Sequence, residues 1–344
     1  MKWDDIKENG VFAGGHRKNG TTLLSAMLDG HPDLFVYPYE THFWYAFYPL
    51  YTELGDYSFE EKKHRIKEHI FFSLRQTIEK WMNLEEKDLR ITYEKLYKKF
   101  DERVSNSQKT TKDIYDAIMY STRELLPDKN YDTHKMWFEK CTGSDIFANE
   151  IFKMYPKTKF IHILRDPRDN WAVIKKGWNK YYNNQYDSIE RLMRSVIDRN
   201  YIQQKMAIDN SEIYGDDRYM ILKYEDLIRG PKEKIQEICE FINLDFDKIN
   251  LNPTFCGIPW GGNSLSDIIY KDVSDERIGI YKKLPENDIK LLEYYFRDFM
   301  IPFGYTPLYD PKECVDAVRE HYKWFNYNQQ WSMKPIRTDY SHLE

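Results

Sequence analysis

The sequence predicts an α/β fold in three layers, with a central mainly parallel sheet between helices and helical insertions. Three observations predict it. Short apolar runs of strand length alternate with longer stretches whose apolar residues recur at helical spacing. A glycine-containing turn joins the first run, Val11-Phe12-Ala13, to the first helical set, Leu23, Leu24, Met27 and Leu28. The 344-residue chain is long enough for one large core.

The elements follow in order. The charged stretch Asp4-Asp5-Ile6-Lys7-Glu8 runs directly into the first strand. Gly30-His31-Pro32 stops the first helix, and His31 is read as structural. Leu34 to Tyr37 is a second strand, broken by Pro38. Residues 56–130 are expected to form a helical insertion that covers the acceptor side of the site. Within it, Ser58-Phe59-Glu60-Glu61 has the pattern of a capping box, and Ile66, Ile70, Leu74, Ile78 and Trp81 share one helical face. Two further helices, over Tyr93 to Phe100 and Lys112 to Leu126, are separated by the polar run Ser105-Asn106-Ser107-Gln108. Strands resume at Met136 to Phe138 and at Phe160 to Leu164. A helix from Ile189 to Ala207, a strand from Tyr219 to Lys223 and a helix opened by Pro231 come next, the last with Ile235, Ile238, Cys239 and Ile242 in one stripe. Glu286 to Met300 is a final helix, and residues 305–344 read as a tail packed over the surface. The whole chain, 1–344, is expected to be a single domain.

Composition excludes several classes of function. A net charge of −5 gives no basic footprint for nucleic acid. No stretch carries the roughly 20 apolar residues that span a bilayer, and no leader precedes the first strand, so a cytoplasmic location is expected. Cys141, Cys239, Cys256 and Cys314 form no CxxC pair, which argues against a zinc knuckle or a disulfide framework. The 28 tyrosines and 9 tryptophans suit a carbohydrate or phenolic ligand but are ordinary core material too.

The strongest local signal is Gly14-Gly15-His16-Arg17-Lys18-Asn19-Gly20-Thr21-Thr22, between a strand and an amphipathic helix. Glycines permit the tight turn and expose backbone N–H groups, and the helix start favours an anion. Gly15 and Gly20 have the spacing of a nucleotide-binding P-loop, so the fold class is P-loop-type. The Lys that a kinase or ATPase places after the second glycine is absent: Lys18 precedes it, and Thr21-Thr22 follow directly.

This loop resembles that of the sulfotransferase superfamily, whose form is Arg/Lys-Ser-Gly-Thr-Thr, with Asn19 in place of Ser. The resemblance implies that Gly15, His16, Arg17, Lys18, Asn19, Gly20, Thr21 and Thr22 wrap the 5′-phosphosulfate of 3′-phosphoadenosine 5′-phosphosulfate, with Lys18 neutralising the bridging oxygen. The product would be 3′-phosphoadenosine 5′-phosphate. A second stretch, Phe160 to Leu164 followed by Arg165-Asp166-Pro167-Arg168-Asp169-Asn170-Trp171, is similar to the family's 3′-phosphate motif. Arg165 would grip that phosphate with its rigid paired donors. The Ser that the family has eight residues later is Val173 here, a hydroxyl for which Lys175 or Lys176 is expected to substitute, with Lys176 the preferred one. Trp137-Phe138-Glu139-Lys140 and Lys223-Tyr224-Glu225-Asp226-Leu227 also recur in carbohydrate-type and bacterial members, with Tyr224 at a strand end that builds the cleft. Trp260-Gly261-Gly262-Asn263-Ser264 and Arg277 would form a loop closing over the donor.

Sulfuryl transfer needs a base for the acceptor hydroxyl. Tyr37-Pro38-Tyr39-Glu40-Thr41-His42 offers two. Glu40 is favoured because the tyrosylprotein branch of the family carries its catalytic Glu in a similar Glu-Thr setting, and His42 is the rival because imidazole titrates near neutrality. No metal is expected. The acceptor is expected to be a glycan or a small molecule, and the insertion offers a surface for a homodimer. The alternatives are a nucleotide-dependent kinase and a catalytically inactive sulfotransferase-like binding or scaffold protein, which Asn19 and Val173 keep open.

Overall fold

A computed structural model describes residues 2–47, 57–82, 93–126, 130–262 and 273–328. Its centre is a five-stranded sheet of β1 (Gly10–Gly14), β2 (Leu34–Val36), β3 (Met136–Lys140), β4 (Lys159–Leu164) and β5 (Tyr219–Lys223). The spatial order is β2-β3-β1-β4-β5, and every pairing is parallel. The chain leaves β1 towards β2 on one side, whereas it leaves β4 towards β5 on the other. Their carboxyl ends therefore bound the crevice where such sheets bind ligands.

Strand alternation sorts the core into two faces. Val11, Ala13, Leu34, Val36, Phe138, Ile161 and Ile163 pack with Leu24, Met27 and Leu28 of α1 (Thr21–Leu28). Phe12, Phe35, Trp137 and Phe160 face the other way and share a cluster with Ile66, Ile70, Leu74, Leu96, Phe100, Ile114 and Ile118. The helices of the 56–130 insertion thus form one covering layer of the sheet. Among its described residues none lines the cavity described below.

Within the insertion, Ser58 and Glu61 form the expected reciprocal cap. The helix they open runs as Phe59–Arg65, a π-helical turn over Ile66–Phe71, and Phe72–Met82. The side chain of Trp81 lies outside those described. Next come α2 (Tyr93–Ser105) and α3 (Thr111–Leu125), the latter capped by Thr110 and Asp113.

A third cluster joins α4 (Pro167–Lys176), α5 (Ile189–Tyr214), α7 (Glu286–Met300) and α8 (Pro311–Asn328), while α6 (Pro231–Ile242) buries its Ile stripe against the sheet. Three boundaries differ from those read in the sequence. Trp3–Ile6 is a helical turn, fixed by the Trp3 indole donating to Asp116 at 2.5 Å. The α5 helix runs two turns past Ala207 because polar Asn210 is buried there, its amide donating to the Asp145 carbonyl, so an apolar period was not the guide. Residues 311–328 are a helix whose Cys314 and Val318 enter the core, and the remaining tail residues, 329–344, lie outside those described. None of the four cysteines is in a disulfide. No helix among the described residues is long and apolar enough to cross a membrane.

Candidate functional site

At the end of β1 the chain turns sharply over β4. Gly15 has φ +128°, and a Cβ there would lie 2.3 Å from the Ile163 carbonyl oxygen, so no other residue fits. Its N–H donates to Asp145 Oδ2 at 2.9 Å, and Asp145 is itself paired with His162 at 2.5 Å, both fully buried. Gly20, at φ +106°, caps α1, and a Cβ there would meet the Tyr224 ring at 2.5 Å. Between them Lys18 also takes a left-handed conformation, φ +67°, at a cost of roughly 1–2 kcal/mol. The turn is therefore held in shape from beneath.

Asn19 takes part in that hold. It is fully buried, donating to the Ile163 carbonyl at 3.4 Å and accepting from Asn170 at 2.8 Å, and Asn170 also donates to the Arg17 carbonyl at 2.7 Å. Where the sequence reading put a ligand contact, the structure has a brace between the turn and α4. His16 is likewise buried, and desolvation first, then the nearby Arg17 charge, pushes its pKa well below the ordinary value, so it is neutral.

The turn opens onto a cavity of about 280 Å³. Arg17, Lys18, Gly20, Thr21, Thr22, Glu40, Arg165, Val173, Tyr224 and Arg277 all contribute to its wall. Gly15, His16, Asn19 and His42 do not line it, and Lys176 is solvent-exposed on α4, so it does not supply the hydroxyl missing at Val173. Lys175 is occupied by Asp288 at 2.7 Å. Trp260 and Gly262 also line the wall, while Asn263 and Ser264 lie outside the described residues.

Arg165 emerges at the end of β4, 2% exposed. It stacks 4.3 Å over Tyr224, donates to the Lys18 carbonyl at 3.1 Å, and donates to the Arg277 carbonyl. Its Nε, and that of Arg17, are buried without a protein hydrogen-bond partner. Two guanidinium N–H groups left unpaired at a cavity wall fit an anionic ligand.

The opposite end of the cavity is built around Glu40. Lys140 donates to it at 2.6 Å, the Thr142 hydroxyl at 2.7 Å and the Thr142 N–H at 3.2 Å, with His42 Nε2 at 3.8 Å. Burial alone would raise the Glu40 carboxyl, but Lys140, His42 and Thr142 outweigh it and hold it at about 2. Lys140 is 4% exposed and reaches the Thr22 hydroxyl of the turn at 3.3 Å. Next to it on the strand, Glu139 points to the other face, where its Oε1 accepts from Thr41 N–H and hydroxyl at 3.2 and 2.8 Å and so fixes the loop that carries Glu40. Lys140 and Thr142 were missed in the sequence. The signal for Lys140 was the one that flagged Arg165, an ionisable residue at the carboxyl end of an apolar strand.

Glu40, His42 and Cys141 place their ligand atoms within 4.8 Å of one another, the one such group among the described residues. The Lys140 ammonium beside Glu40 opposes a second cation there.

A model of the sulfotransferase family matches residues 10–248, a span that includes the glycine turn, Glu40, Lys140, Arg165 and Tyr224. The chain belongs to the sulfotransferase family. Solved structures similar to this chain include the sulfotransferase domain of the Synechococcus PCC 7002 olefin synthase, with 21% identity over 86% of this chain and 95% of that one, at TM-score 0.49. The sulfotransferase domain from the curacin biosynthetic pathway has 18% identity over 86% and 97%, at 0.49. Sulfotransferase STF9 from Mycobacterium avium has 13% identity over 88% and 79%, at 0.48. No curated protein sequence matches significantly.

Proposed function

We propose that the protein transfers a sulfuryl group from 3′-phosphoadenosine 5′-phosphosulfate to the hydroxyl of a glycan or small-molecule acceptor by in-line displacement. The observation that carries this reading is the convergence, in one cavity, of the glycine turn with Lys18, the guanidinium of Arg165 and the carboxylate of Glu40. When bound, the donor supplies the activated sulfuryl group and leaves as 3′-phosphoadenosine 5′-phosphate.

The residues divide the work. Backbone N–H groups of the turn, with Thr21 and Thr22, bind the 5′-phosphate side, and Lys18 holds positive charge where the leaving oxygen develops its own negative charge. Arg165, stacked on Tyr224, and Arg277 hold the 3′-phosphate. Glu40 takes the acceptor proton. While Lys140 is bonded to it, a carboxylate at about 2 is a weak base. Because Lys140 reaches both Thr22 and Glu40, a shift of its ammonium towards the turn loosens that hold and raises the basicity of Glu40.

Calorimetric titration with 3′-phosphoadenosine 5′-phosphate, AMP and ATP in metal-free buffer tests the donor site. Selective binding of the bisphosphate, weakened about 100-fold in Arg165→Ala, is expected. An acceptor panel with the full donor then separates the bases: Glu40→Gln lowers kcat by about 10²–10⁴ with donor binding kept, while His42→Gln leaves most of it. Preference for Mg-ATP would overturn the reading in favour of a kinase. Donor binding without transfer in the wild type would leave an inactive binding protein.

A further inference from the structure

One wall of the cavity is formed by Val273, Ser274 and Arg277, which come from a segment with little regular structure of its own. That segment is fastened at its far end. Asp169, in the first turn of α4 and 1% exposed, accepts the Gly279 N–H on Oδ2 at 2.7 Å and the Tyr281 N–H on Oδ1 at 2.9 Å. Both carboxylate oxygens are thus spent on one short stretch of backbone. Gly279 has φ +77° and caps the 3₁₀ turn Ile280–Lys283, so the chain reverses at the point where it is gripped. The Tyr281 ring lies 4.0 Å from the Arg168 guanidinium, and the Arg277 carbonyl accepts from Arg165.

Arg165 follows β4 directly, and Asp169 and Val173 lie on α4, so the segment that would grip the 3′-phosphate also sets the facing wall. Val173, 6% exposed, brings no donor to its side of the cavity. Ser274 brings a hydroxyl to the same cavity from the fastened segment.

We propose that Asp169 is a positioning residue for recognition of the donor's 3′-phosphate: by latching the backbone at Gly279 and Tyr281 it holds Arg277 and Ser274 against Arg165, and Ser274 supplies the hydroxyl that Val173 lacks. The inference rests on the donor reading above. Asp169 touches no ligand itself. Burial raises its carboxyl to about 6 even though two N–H groups bond to it.

The test is selectivity rather than stability. Titrations of 3′-phosphoadenosine 5′-phosphate and of AMP, which lacks the 3′-phosphate, are compared for wild type, Asp169→Asn and Ser274→Ala. Asparagine keeps the size but turns an NH₂ towards one of the two backbone N–H groups. Asp169→Asn is expected to weaken the bisphosphate about tenfold, which is about 1.4 kcal/mol, and AMP by less than about twofold. Ser274→Ala is expected to do the same to a smaller degree. An unchanged ratio of the two affinities in both variants overturns the proposal while leaving the donor reading intact; a wild type with no preference for the bisphosphate overturns both. Should the variants fold poorly, hydrogen exchange on the wild type decides. By reciprocity of coupling, the bisphosphate and not AMP slows exchange of the Gly279 and Tyr281 amides, and equal or absent slowing counts against the latch.

Discussion

The two ends of the cavity are built by different physics. The phosphate end is a backbone construction: Gly15 and Gly20 in conformations only glycine adopts readily, with buried Asp145, Asn19 and Asn170 bracing the turn from below. The Glu40 end is an electrostatic construction, in which a carboxylate, Lys140 and Thr142 meet from two strand ends far apart in sequence. The first is braced from beneath, where the Gly15 N–H, Asn19 and Asn170 are already bonded to protein partners. The second is adjustable, since one ammonium bridges the two ends through Thr22 and Glu40.

Removing that bridge has the largest expected effect. Lys140→Met deletes the cation shared by turn and carboxylate, leaving Thr22 and Glu40 without their common donor, and is expected to lower kcat by about 10²–10³, the scale on which one preorganised donor counts. It also frees Glu40 to titrate nearer its ordinary range. Glu40 now sits at about 2, so in the folded state the ion pair contributes stability above the carboxyl's ordinary value, and that stability is lost as pH falls through about 2. In the variant, a plot of log kcat/KM against pH gains an acid limb between about pH 4 and 5 that the wild type lacks. A wild-type limb near neutrality instead points to an imidazole base and against Glu40.

The rigid end answers to a different change. Asp145→Asn leaves His162 and the Gly15 N–H with a weaker acceptor in a fully buried place. The expected loss is about 3 kcal/mol of folding stability, read as a lower midpoint in urea, with donor affinity falling only as far as the turn loosens. If stability holds and donor affinity collapses, the turn is set by something other than its buried floor.

The contrast explains what the sequence disclosed. Backbone construction leaves a local signature, and the spacing of Gly15 and Gly20 between strand and helix was enough to find the turn. Arg165 was legible because a charged residue ends an apolar strand. The bracing role of Asn19 was not legible because its neighbours Lys18 and Gly20 line the cavity while its own amide turns inward to Ile163 and Asn170. Lys140 carried the same strand-end signal as Arg165. What hid its role is that Glu40, 100 residues earlier, meets it only through the pairing of β2 with β3. The 56–130 helices were legible as helices, but which sheet face they cover follows from Phe12, Phe35 and Trp137 pointing towards them, a property of register.

The smallest expected effect sharpens the comparison from behind the adjustable end. Burial, opposed by bonds from Thr41, pushes the Glu139 carboxyl up to about 7. Its folded pKa lies above the unfolded one, so folding favours the protonated form. The stability linked to this group is full below about pH 4.5 and is lost as pH rises through about 7. Wild type is therefore expected to lose about 2 kcal/mol between pH 5 and pH 8 relative to Glu139→Gln, whose amide does not titrate. Urea midpoints of the two proteins at those pH values measure it. A wild-type profile parallel to that of the variant means that Glu139 is ionised throughout, and the loop carrying Glu40 is then held by a charged acceptor across that whole pH range.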